Sequence, residues 1–439
     1  MQQSLIMAAQ LILALSILVI IHELGHFLAA RAFGIKVEKF YLFFDVGGVK
    51  LFKYKRGDVE YGIGWLPLGG YVKITGMIDE SMDKEAAQRD PEPYEFRAKP
   101  AWQRLIVMLG GVIMNVLLGI LIFTLHSWYY GEKYIPATEL RNGIEAHSLA
   151  EQVGFQDGDI ITSINGEVPK KASEVISPSL ILDKGVTYEI ERNGERKTIA
   201  IPSDFGKKAL NTGLDSFMTL RQTFTVGKIE PGRPAEEAGL KTGDKIISVN
   251  DTPVQYFNQF SPMVRKHKNS EIKLGIQREN NVTTITTKVD SNGAIGFWPD
   301  FVTETEKYSL GESLSRGPKK AWDAIAVNVK GIARIVSGDI PANKSVHSLI
   351  GIANVFGGTW NWVSFWGLTA MLSMVLAIMN LLPIPALDGG HVIFLLVEML
   401  RGKPLSIKFL EVAQMVGMAL LFMLMGYALY NDFATYIFK

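Results

Sequence analysis

The sequence predicts a polytopic α-helical membrane protein with four transmembrane helices, a small membrane-associated β region and a repeated α+β domain outside the cytoplasm. Apolar stretches and an internal repeat lead to this fold class. Four uncharged, strongly apolar stretches are each close to the roughly 20 residues that a helix needs to cross a bilayer core of about 30 Å. They are Leu5 to Ile21, Leu105 to Leu125, Phe365 to Leu382 and Val412 to Tyr430. One such stretch is compatible with a buried core helix, but four are hard to place in one soluble core.

Cationic residues beside the apolar stretches predict the orientation of the chain. The segment before Leu5 has none, whereas such residues follow the first stretch, precede the second and lie between the last two. They are Arg31, Lys36, Lys39, Lys99, Arg104, Arg401, Lys403 and Lys408. Because cytoplasmic loops are rich in lysine and arginine, we expect residues 32–104 and 388–408 in the cytoplasm. Both termini and the block at 127–364 are expected on the opposite side.

The segments between the stretches have patterns of their own. Residues 37–76 alternate and contain glycines, which is typical of short strands and tight turns. Apolar residues after position 320 recur at spacings of 3 and 4, which is typical of an amphipathic helix on the membrane surface or against a neighbouring domain. These residues are Trp322, Ile325, Val329, Ile332 and Val336.

Ten regions follow from these patterns. They are transmembrane helix 1 (1–31), a β-rich membrane-associated region (32–104), transmembrane helix 2 (105–126), two repeat domains (127–220 and 221–305), an amphipathic helical region (306–364), transmembrane helix 3 (365–387), a loop with a short helix (388–408), transmembrane helix 4 (409–431) and a tail (432–439).

Composition excludes several kinds of function. The net charge is +1 and no basic stripe with interleaved aromatic residues occurs, so we expect no nucleic-acid partner. The chain has no cysteine, which excludes disulfides, thiolate metal ligands and a cysteine nucleophile. The lipid bilayer is the expected environment, and the sequence makes no prediction of the oligomeric state.

The block between the second and third stretches contains a repeat. "SLAEQVGFQDGDIITSINGEVP" at 148–169 aligns without a gap to "RPAEEAGLKTGDKIISVNDTPV" at 233–254. Each copy predicts a short helix, a glycine turn, an apolar strand and an Asn-centred turn, and so resembles the bacterial PDZ domain. Gly213-Leu214 and Gly296-Phe297 are candidates for loops that bind the carboxylate of an extended peptide. The alternative is two small β-domains without a ligand, because fold does not fix function.

Charged groups occur within the predicted first transmembrane helix (1–31), in "HELGH" at 22–26 directly after the first apolar stretch. Residues four apart share one face of a helix, so His22 and His26 are able to bind a single Zn²⁺. Glu23 then lies beside the metal, where a general base is needed. An ionisable residue within a membrane span is costly unless it faces protein or water, which favours a functional site. The alternative is a polar helix end that reaches the headgroup region.

A catalytic zinc usually has three protein ligands, and Asp388 in "NLLPIPALDGGH" at 380–391 is the candidate for the third. It follows directly on the third apolar stretch. Because the first and third helices are predicted to run in the same direction, both motifs fall near their cytoplasmic ends. Pro383 and Pro385 cannot continue a regular helix, and the backbone that they leave unpaired is tolerated at membrane depth only around a cavity.

"HELGH" in a first span together with "NLLPIPALDGG" in a later one resembles the site-2 protease family of intramembrane zinc metalloproteases. The two PDZ-like repeats, "PLGGYVK" at 67–73, and Gly110, Gly111 and Asn115 in the second span are similar to its Gram-negative envelope-stress members.

The resemblance implies roles for individual residues. His22, His26 and Asp388 would be zinc ligands and Glu23 the catalytic acid and base. Asn380 matches the family's asparagine upstream of Leu-Asp-Gly, where it holds the substrate backbone.

The resemblance also implies a reaction and its partners. The protein would be a multi-pass enzyme of a bacterial inner membrane, with its termini and PDZ-like domains in the periplasm, that cuts the transmembrane segment of single-pass substrates. These would be an anti-sigma factor already shortened outside the membrane, and signal-peptide remnants. The PDZ-like pair would exclude substrates with bulky external domains. Two other classes are a PDZ-based peptide-binding membrane scaffold with a vestigial metal site and a transporter that relays protons through the carboxylates.

Overall fold

The computed structural model describes residues 2–77, 90–176, 180, 185–203, 205, 217–337 and 348–436. The chain forms two compact units. The helical unit comprises Met1–Gly131 and Lys307–Lys439, and the β unit comprises the residues between them. Gly213 and Leu214, one of the two candidate carboxylate loops, lie outside the described residues.

The first part of the helical unit consists of two long helices with a four-stranded sheet between them in sequence. The helices are α1 (Gln2–Ala32) and α2 (Ala101–Tyr130). The strands are β1 (Val37–Phe44), β2 (Lys50–Arg56), β3 (Val59–Gly64) and β4 (Leu66–Ile74). Their order is β2-β3-β1-β4, with β1 parallel to β3 and the other pairs antiparallel. β4 therefore forms one edge of this sheet.

Among its described residues, the β unit has short strands and three short α-helices. The strands are β5 (Glu132–Tyr134), β6 (Ile144–Ala146), β7 (Ile160–Ile164), β8 (Thr187–Arg192), β9 (Glu195–Ala200), β10 (Met218–Leu220), β11 (Phe224–Ile229), β12 (Lys245–Val249), β13 (Thr252–Pro253), β14 (Glu271–Arg278), β15 (Asn281–Lys288), β16 (Phe297–Phe301) and β17 (Glu304–Glu306). The helices are α3 (Ser148–Gln152), α4 (Pro234–Glu237) and α5 (Phe257–Lys266). The larger sheets have the orders β7-β8-β9 and β13-β12-β14-β15.

The two repeat copies have the same internal contacts. Asp159 accepts two hydrogen bonds from Arg192, both of 2.7 Å, and Asp244 accepts two from Arg278, of 2.7 and 2.8 Å. Each arginine also donates to the carbonyl of a glycine in the turn before the aspartate. The Gly-Asp turn of the repeat is thus fixed by a buried ion pair to the next long strand, β8 or β14, in both copies. Each copy also packs its own hydrophobic core.

The helical unit continues after the β unit with α6 (Leu310–Val336), α7 (Leu349–Phe356), α8 (Trp362–Leu381), α9 (Asp388–Arg401) and α10 (Ile407–Tyr436). α8 ends just before Pro383, which has no backbone N–H for a further helical turn. By length and composition, α1, α2, α8 and α10 are able to cross a membrane, which agrees with the four predicted spans.

α6 is amphipathic, and its contact face combines small residues with Ile325. Ala321 and Ala324 are buried against α2 and Met374 of α8, whereas Trp322 is 68% exposed. A Cβ added to Gly317 would overlap Thr124 of α2, so the two helices touch backbone to side chain there. This helix therefore packs within its own unit through alanine, glycine and Ile325 of the predicted apolar pattern. The tryptophan of the predicted apolar pattern faces outward.

Glycines set the distance between α1 and α2. A Cβ added to Gly25 would overlap the carbonyl of Gly110, and one added to Gly110 would lie 2.6 Å from the carbonyl oxygen of Gly25. Small residues of this kind let transmembrane helices approach closely. The crossing brings the turn of α1 that carries the histidines directly against α2.

Candidate metal centre

Three possible metal ligands converge where α1, α2 and α9 meet. The Nε2 atoms of His22 and His26, one turn apart on α1, are separated by 3.2 Å. Asp388 is the first residue of α9, and its Oδ2 lies 3.1 Å from His22 Nε2 and 3.4 Å from His26 Nε2. Within the described part of the chain, this is the one group of three or more His, Cys, Asp and Glu residues that is arranged to hold a metal ion.

The triangle has the dimensions of a zinc site. Zinc–ligand bonds of about 2.0–2.1 Å at tetrahedral angles put neighbouring donor atoms about 3.3 Å apart, close to all three separations. The Oδ2 of Asp388 is buried and makes no well-formed hydrogen bond, although two imidazoles are near it. A carboxylate oxygen in this position is left without a partner unless a cation binds. Two histidines and one carboxylate are also a donor set that zinc accepts in catalytic sites.

The space for the ion depends on a glycine of α2. A Cβ added to Gly111 would lie 2.5 Å from both His22 Cε1 and His26 Nε2. Any other residue would therefore fill the place where the two imidazoles meet. The close approach of α2 thus forms one wall of the site without occupying it.

Hydrogen bonds from α2 orient both imidazoles. His26 Nδ1 lies 2.8 Å from the carbonyl oxygen of Val107, which makes Nδ1 the donor and leaves the Nε2 lone pair free for a metal. His22 Nδ1 lies 3.2 Å from the side-chain amide of Asn115, whose Oδ1 is buried and has no hydrogen-bond partner. The amide orientation that satisfies both residues has Oδ1 accepting from His22 Nδ1–H. Both ring nitrogens that face the ion are then unprotonated.

Glu23 lies beside the triangle but does not belong to it. Its carboxylate lies near the backbone N–H of Val72 in β4, and both residues line the same cavity. A Cβ added to Gly70 would lie 2.6 Å from Val19 Cγ1 and 3.4 Å from Glu23 Cγ, so β4 runs against α1 at this point. The sheet thus fixes the carboxylate next to the ligands.

Asn380 also reaches the centre. It lies in the last turn of α8, and its Nδ2 is 3.3 Å from His22 Nε2. The sequence-predicted residues His22, Glu23, His26, Asp388 and Asn380 therefore all meet at one place.

All five residues line a cavity of about 780 Å³. One wall of this cavity is formed by residues 69–74 of the edge strand β4. Leu349 of α7 and Gln414 of α10 also line it. A peptide segment in the cavity would therefore lie between the edge of a sheet and the metal ligands.

A polar cluster within the sheet supports this wall. Glu60 of β3 accepts hydrogen bonds of 2.6 Å from both Lys50 of β2 and Tyr41 of β1. The lysine, followed by the tyrosine, lowers the pKa of Glu60 to about 2. Tyr71 of β4 donates to Asp45 just after β1. The four strands are thus connected by side chains as well as by their backbones.

Sequence reasoning missed several contacts of the centre. Asn115 and Val72, which lies in "PLGGYVK", were marked only through the resemblance, and nothing in the sequence marked Gln414. Each of these contacts joins elements far apart in sequence, and no spacing rule predicts such contacts.

The chain matches Peptidase family M50 over residues 10–424. It therefore belongs to this family, the site-2 proteases, and is a zinc metalloprotease of the site-2 type.

Relatives with similarity over nearly the whole chain agree with this assignment. A protein of Neisseria meningitidis whose name contains the term zinc metalloprotease is 31% identical, over 96% of this chain and 97% of its own length. Protease RseP of Yersinia pestis is 30% identical, over 97% and 98% of the two chains. Regulator of sigma-E protease RseP of Escherichia coli is 28% identical over the same shares. The chain is thus similar to RseP proteins from end to end.

Proposed function

We propose that the chain is an intramembrane endopeptidase in which His22, His26 and Asp388 bind a catalytic Zn²⁺. The observation that carries this proposal is the triangle of three donor atoms, whose sides of 3.1, 3.2 and 3.4 Å match a tetrahedral zinc site. Two of the three donors lie on α1, which is long and apolar enough to span a bilayer, and this position supports cleavage within the membrane.

Each residue around the centre has a task in hydrolysis. Zinc bound here supplies the Lewis acidity that polarises a peptide carbonyl and acidifies water. Glu23 accepts the proton of the attacking water and delivers it to the leaving amine. The close packing of β4 against α1 at Gly70 keeps the Glu23 carboxylate in place for both transfers. Asn380, at the edge of the ligand triangle, hydrogen-bonds the substrate backbone and orients the scissile peptide.

The substrate has to unwind before it is cut, and β4 is suited to receive it. In a transmembrane helix the backbone carbonyls are already hydrogen-bonded, and breaking these bonds inside a bilayer is costly. Residues 69–74 lie on the edge strand and line the cavity, so an extended segment is able to pair with them. Strand addition would replace the lost hydrogen bonds beside the zinc.

The four spans and the flanking charges support a proposed location and orientation of the chain. We place the enzyme in a bacterial inner membrane, with residues 32–104 and 388–408 in the cytoplasm. Both termini and the β unit then lie in the periplasm. Water for hydrolysis would reach the cavity from the cytoplasmic side.

Relatives that carry the name Regulator of sigma-E protease support a role in envelope-stress signalling. The proposed substrate is a single-pass anti-sigma factor that has been shortened outside the membrane, with signal-peptide remnants as a second class. We assign the two repeat copies as PDZ-like domains that exclude substrates with large external parts. Gly296, which precedes β16 at a φ of +91°, belongs to the candidate peptide loop of the second copy.

Cleavage by the purified chain tests the proposal. The protein is incubated with a single-pass substrate trimmed outside the membrane, and the products are mapped by mass spectrometry. Wild type should cut within the transmembrane segment. Glu23→Gln should keep its zinc but lose cleavage, because only the proton acceptor is removed, and Asp388→Asn should lose zinc. Cleavage by Glu23→Gln near the wild-type rate would refute the role of Glu23.

A further inference from the structure

The turn before Asp388 has an unfavourable backbone conformation. The N–H of Leu387 donates to the carbonyl of Ile384 over 3.0 Å, which closes a four-residue turn with Pro385 and Ala386 in the middle. Ala386 has a φ of +84°. Proline at the second position and positive φ at the third define a type II turn, in which the third position normally takes glycine or asparagine. Alanine is strained there because of its Cβ, so the surroundings have to hold the turn in place.

This turn determines where Asp388 lies. Leu387 is the N-cap of α9 and Asp388 is its first residue, so Asp388 is two residues from Ala386. A Cβ added to Gly389 would overlap the carbonyl of Leu382, and one on Gly390 would lie 2.6 Å from the Ile384 oxygen. The start of α9 is therefore packed onto the turn. A shift of the turn would move the Asp388 carboxylate with it.

α10 contacts this turn at two points. The side-chain Oε1 of Gln414 accepts a hydrogen bond of 3.1 Å from the N–H of Ala386, and Gln414 is buried. Gly417 lies three residues further on the same face, where an added Cβ would overlap the Pro385 carbonyl. Gln414 binds the strained residue, and Gly417 gives the backbone of α10 room to approach it.

We propose that Gln414 is a positioning residue of the metal centre. Its hydrogen bond to Ala386 holds the type II turn in the conformation that directs Asp388 Oδ2 toward His22 and His26. This inference rests on the proposed role of Asp388 as a zinc ligand. It assigns to α10 a function in the site although α10 contributes no ligand. The alternative is that the Gln414 contact only packs α10 against the rest of the unit.

A double-mutant cycle separates the two roles. Gln414→Met keeps the length of the side chain but removes the acceptor. Ala386→Gly removes the strain, because glycine adopts positive φ freely. In the full-length purified protein, zinc loss to a chelator is followed over time. We expect Gln414→Met to release zinc about 10-fold faster, as for other residues that support a ligand. With Ala386→Gly added, release should return toward the wild-type rate, since the turn no longer needs the restraint.

Three controls make the cycle decisive. Met415→Leu, at an exposed position on the same helix, should behave as wild type. Gln414→Glu keeps the acceptor and should retain zinc, which keeps the test valid if Gln414→Met fails to fold. The d–d absorption spectrum of the cobalt-substituted protein should change in Gln414→Met and be restored by Ala386→Gly, whereas loosened packing alone would leave it unaltered.

The outcomes distinguish this inference from the assignment on which it rests. If Asp388→Asn keeps its zinc, the ligand assignment fails. If Asp388→Asn loses zinc but Gln414→Met retains it at the wild-type rate, Gln414 is not a positioning residue. Failure of Ala386→Gly to slow the release from Gln414→Met also overturns the inference, because the effect would then not act through the turn.

Discussion

At the scale of single residues, the buried amide of Asn115 connects α2 to the metal centre. Its side chain is fully buried, and the ring of His22 is its hydrogen-bonding neighbour. A zinc-binding imidazole usually donates its second N–H to such a group, which fixes both the tautomer and the ring orientation. Val107 has the same task for His26 through its backbone carbonyl. A side-chain substitution is therefore able to remove the contact to His22 but not the contact to His26.

Replacing Asn115 should weaken metal binding without removing a ligand. Asn115→Leu has a similar volume but cannot accept from His22 Nδ1–H, and we expect a loss of zinc affinity of about 10- to 100-fold. Competition with a chromogenic chelator measures it. Asn115→Asp, which keeps an acceptor, is the matched control and should retain most of the affinity. Equal zinc affinity in Asn115→Leu and wild type would show that the contact does not orient His22.

The sequence predicted the three residues of the triangle better than the contacts that support them. The spacing of His22 and His26 is a local property of one helix, and Asp388 followed from the direction of the spans. Asn115 and Gln414 reach the centre through side-chain contacts between helices, which depend on packing. Ala386 could not be recognised as strained, since a Pro-Ala pair does not by itself require a positive φ.

At the scale of elements, the sequence predicted the strands of the four-stranded sheet but not their order in it. The alternation and glycines at 37–76 indicated short strands and turns. They did not indicate that β1 pairs in parallel with β3, or that β4 lies at the edge beside the metal centre. Strand order depends on contacts such as those of Glu60 with Lys50 and Tyr41. A periodic pattern of residues does not predict such contacts between strands. The function proposed for β4 depends on that order.

The Glu60 cluster should make the stability of the sheet depend on pH. The pKa of Glu60 is about 2 in the folded chain, below the usual value of about 4.3 for glutamate. Ionised Glu60 therefore stabilises the fold above about pH 4.3, and this contribution is lost as the pH falls toward 2. The effect should be modest, because the Glu60 side chain is 29% exposed.

Thermal unfolding of the purified protein between pH 5.5 and 3 tests this dependence. The melting temperature of wild type should fall more steeply with decreasing pH than that of Glu60→Gln, which has no titrating group at this position. Glu195→Gln is the matched control, since its side chain is 75% exposed, and should keep the wild-type slope. Parallel slopes for wild type and Glu60→Gln would show that the cluster does not contribute.

At the scale of the whole molecule, the sequence predicted four spans and one repeat, and both are evident in the two units. The first and last strands of the β unit, β5 and β17, pair with each other, and Glu132 of β5 lies opposite Glu306 of β17. The chain therefore enters and leaves this unit at neighbouring points, and its removal leaves a short gap to bridge. His22, His26 and Asp388, the candidate metal ligands, all lie in the helical unit, so the proposed role in excluding large substrates is separable from catalysis.

Replacing residues 132–306 by a short glycine-serine linker should leave zinc binding and peptidase activity in place. Substrates with larger external domains, which wild type excludes, should then be cut. Cleavage of a series of substrates with increasing external length measures the change, with Glu23→Gln in the same deletion as the control. A deletion variant that binds zinc but cuts no substrate would show that the β unit does more than exclude.

The orientation of the whole chain determines from which side water reaches the histidines. His22 lies about 17 residues after Leu5, which at 1.5 Å per residue places it roughly 25 Å along α1, toward the end that is predicted to be cytoplasmic.

Because the chain has no cysteine, single cysteines report the side of the membrane directly. The labelled positions have to be exposed, because a thiol reagent does not reach a buried side chain. This excludes positions such as Ala30, which is fully buried, and Gly389, where a side chain would overlap Leu382. Cysteine at Lys55, an exposed position in β2, or at Lys403, after α9, should react with a membrane-impermeant thiol reagent only when the cytoplasmic face is opened. Cysteine at Val168 in the β unit should react in cells whose outer membrane alone is permeabilised. Labelling of Lys55→Cys or Lys403→Cys under that second condition would invert the orientation, and the metal centre would then receive water from the periplasm.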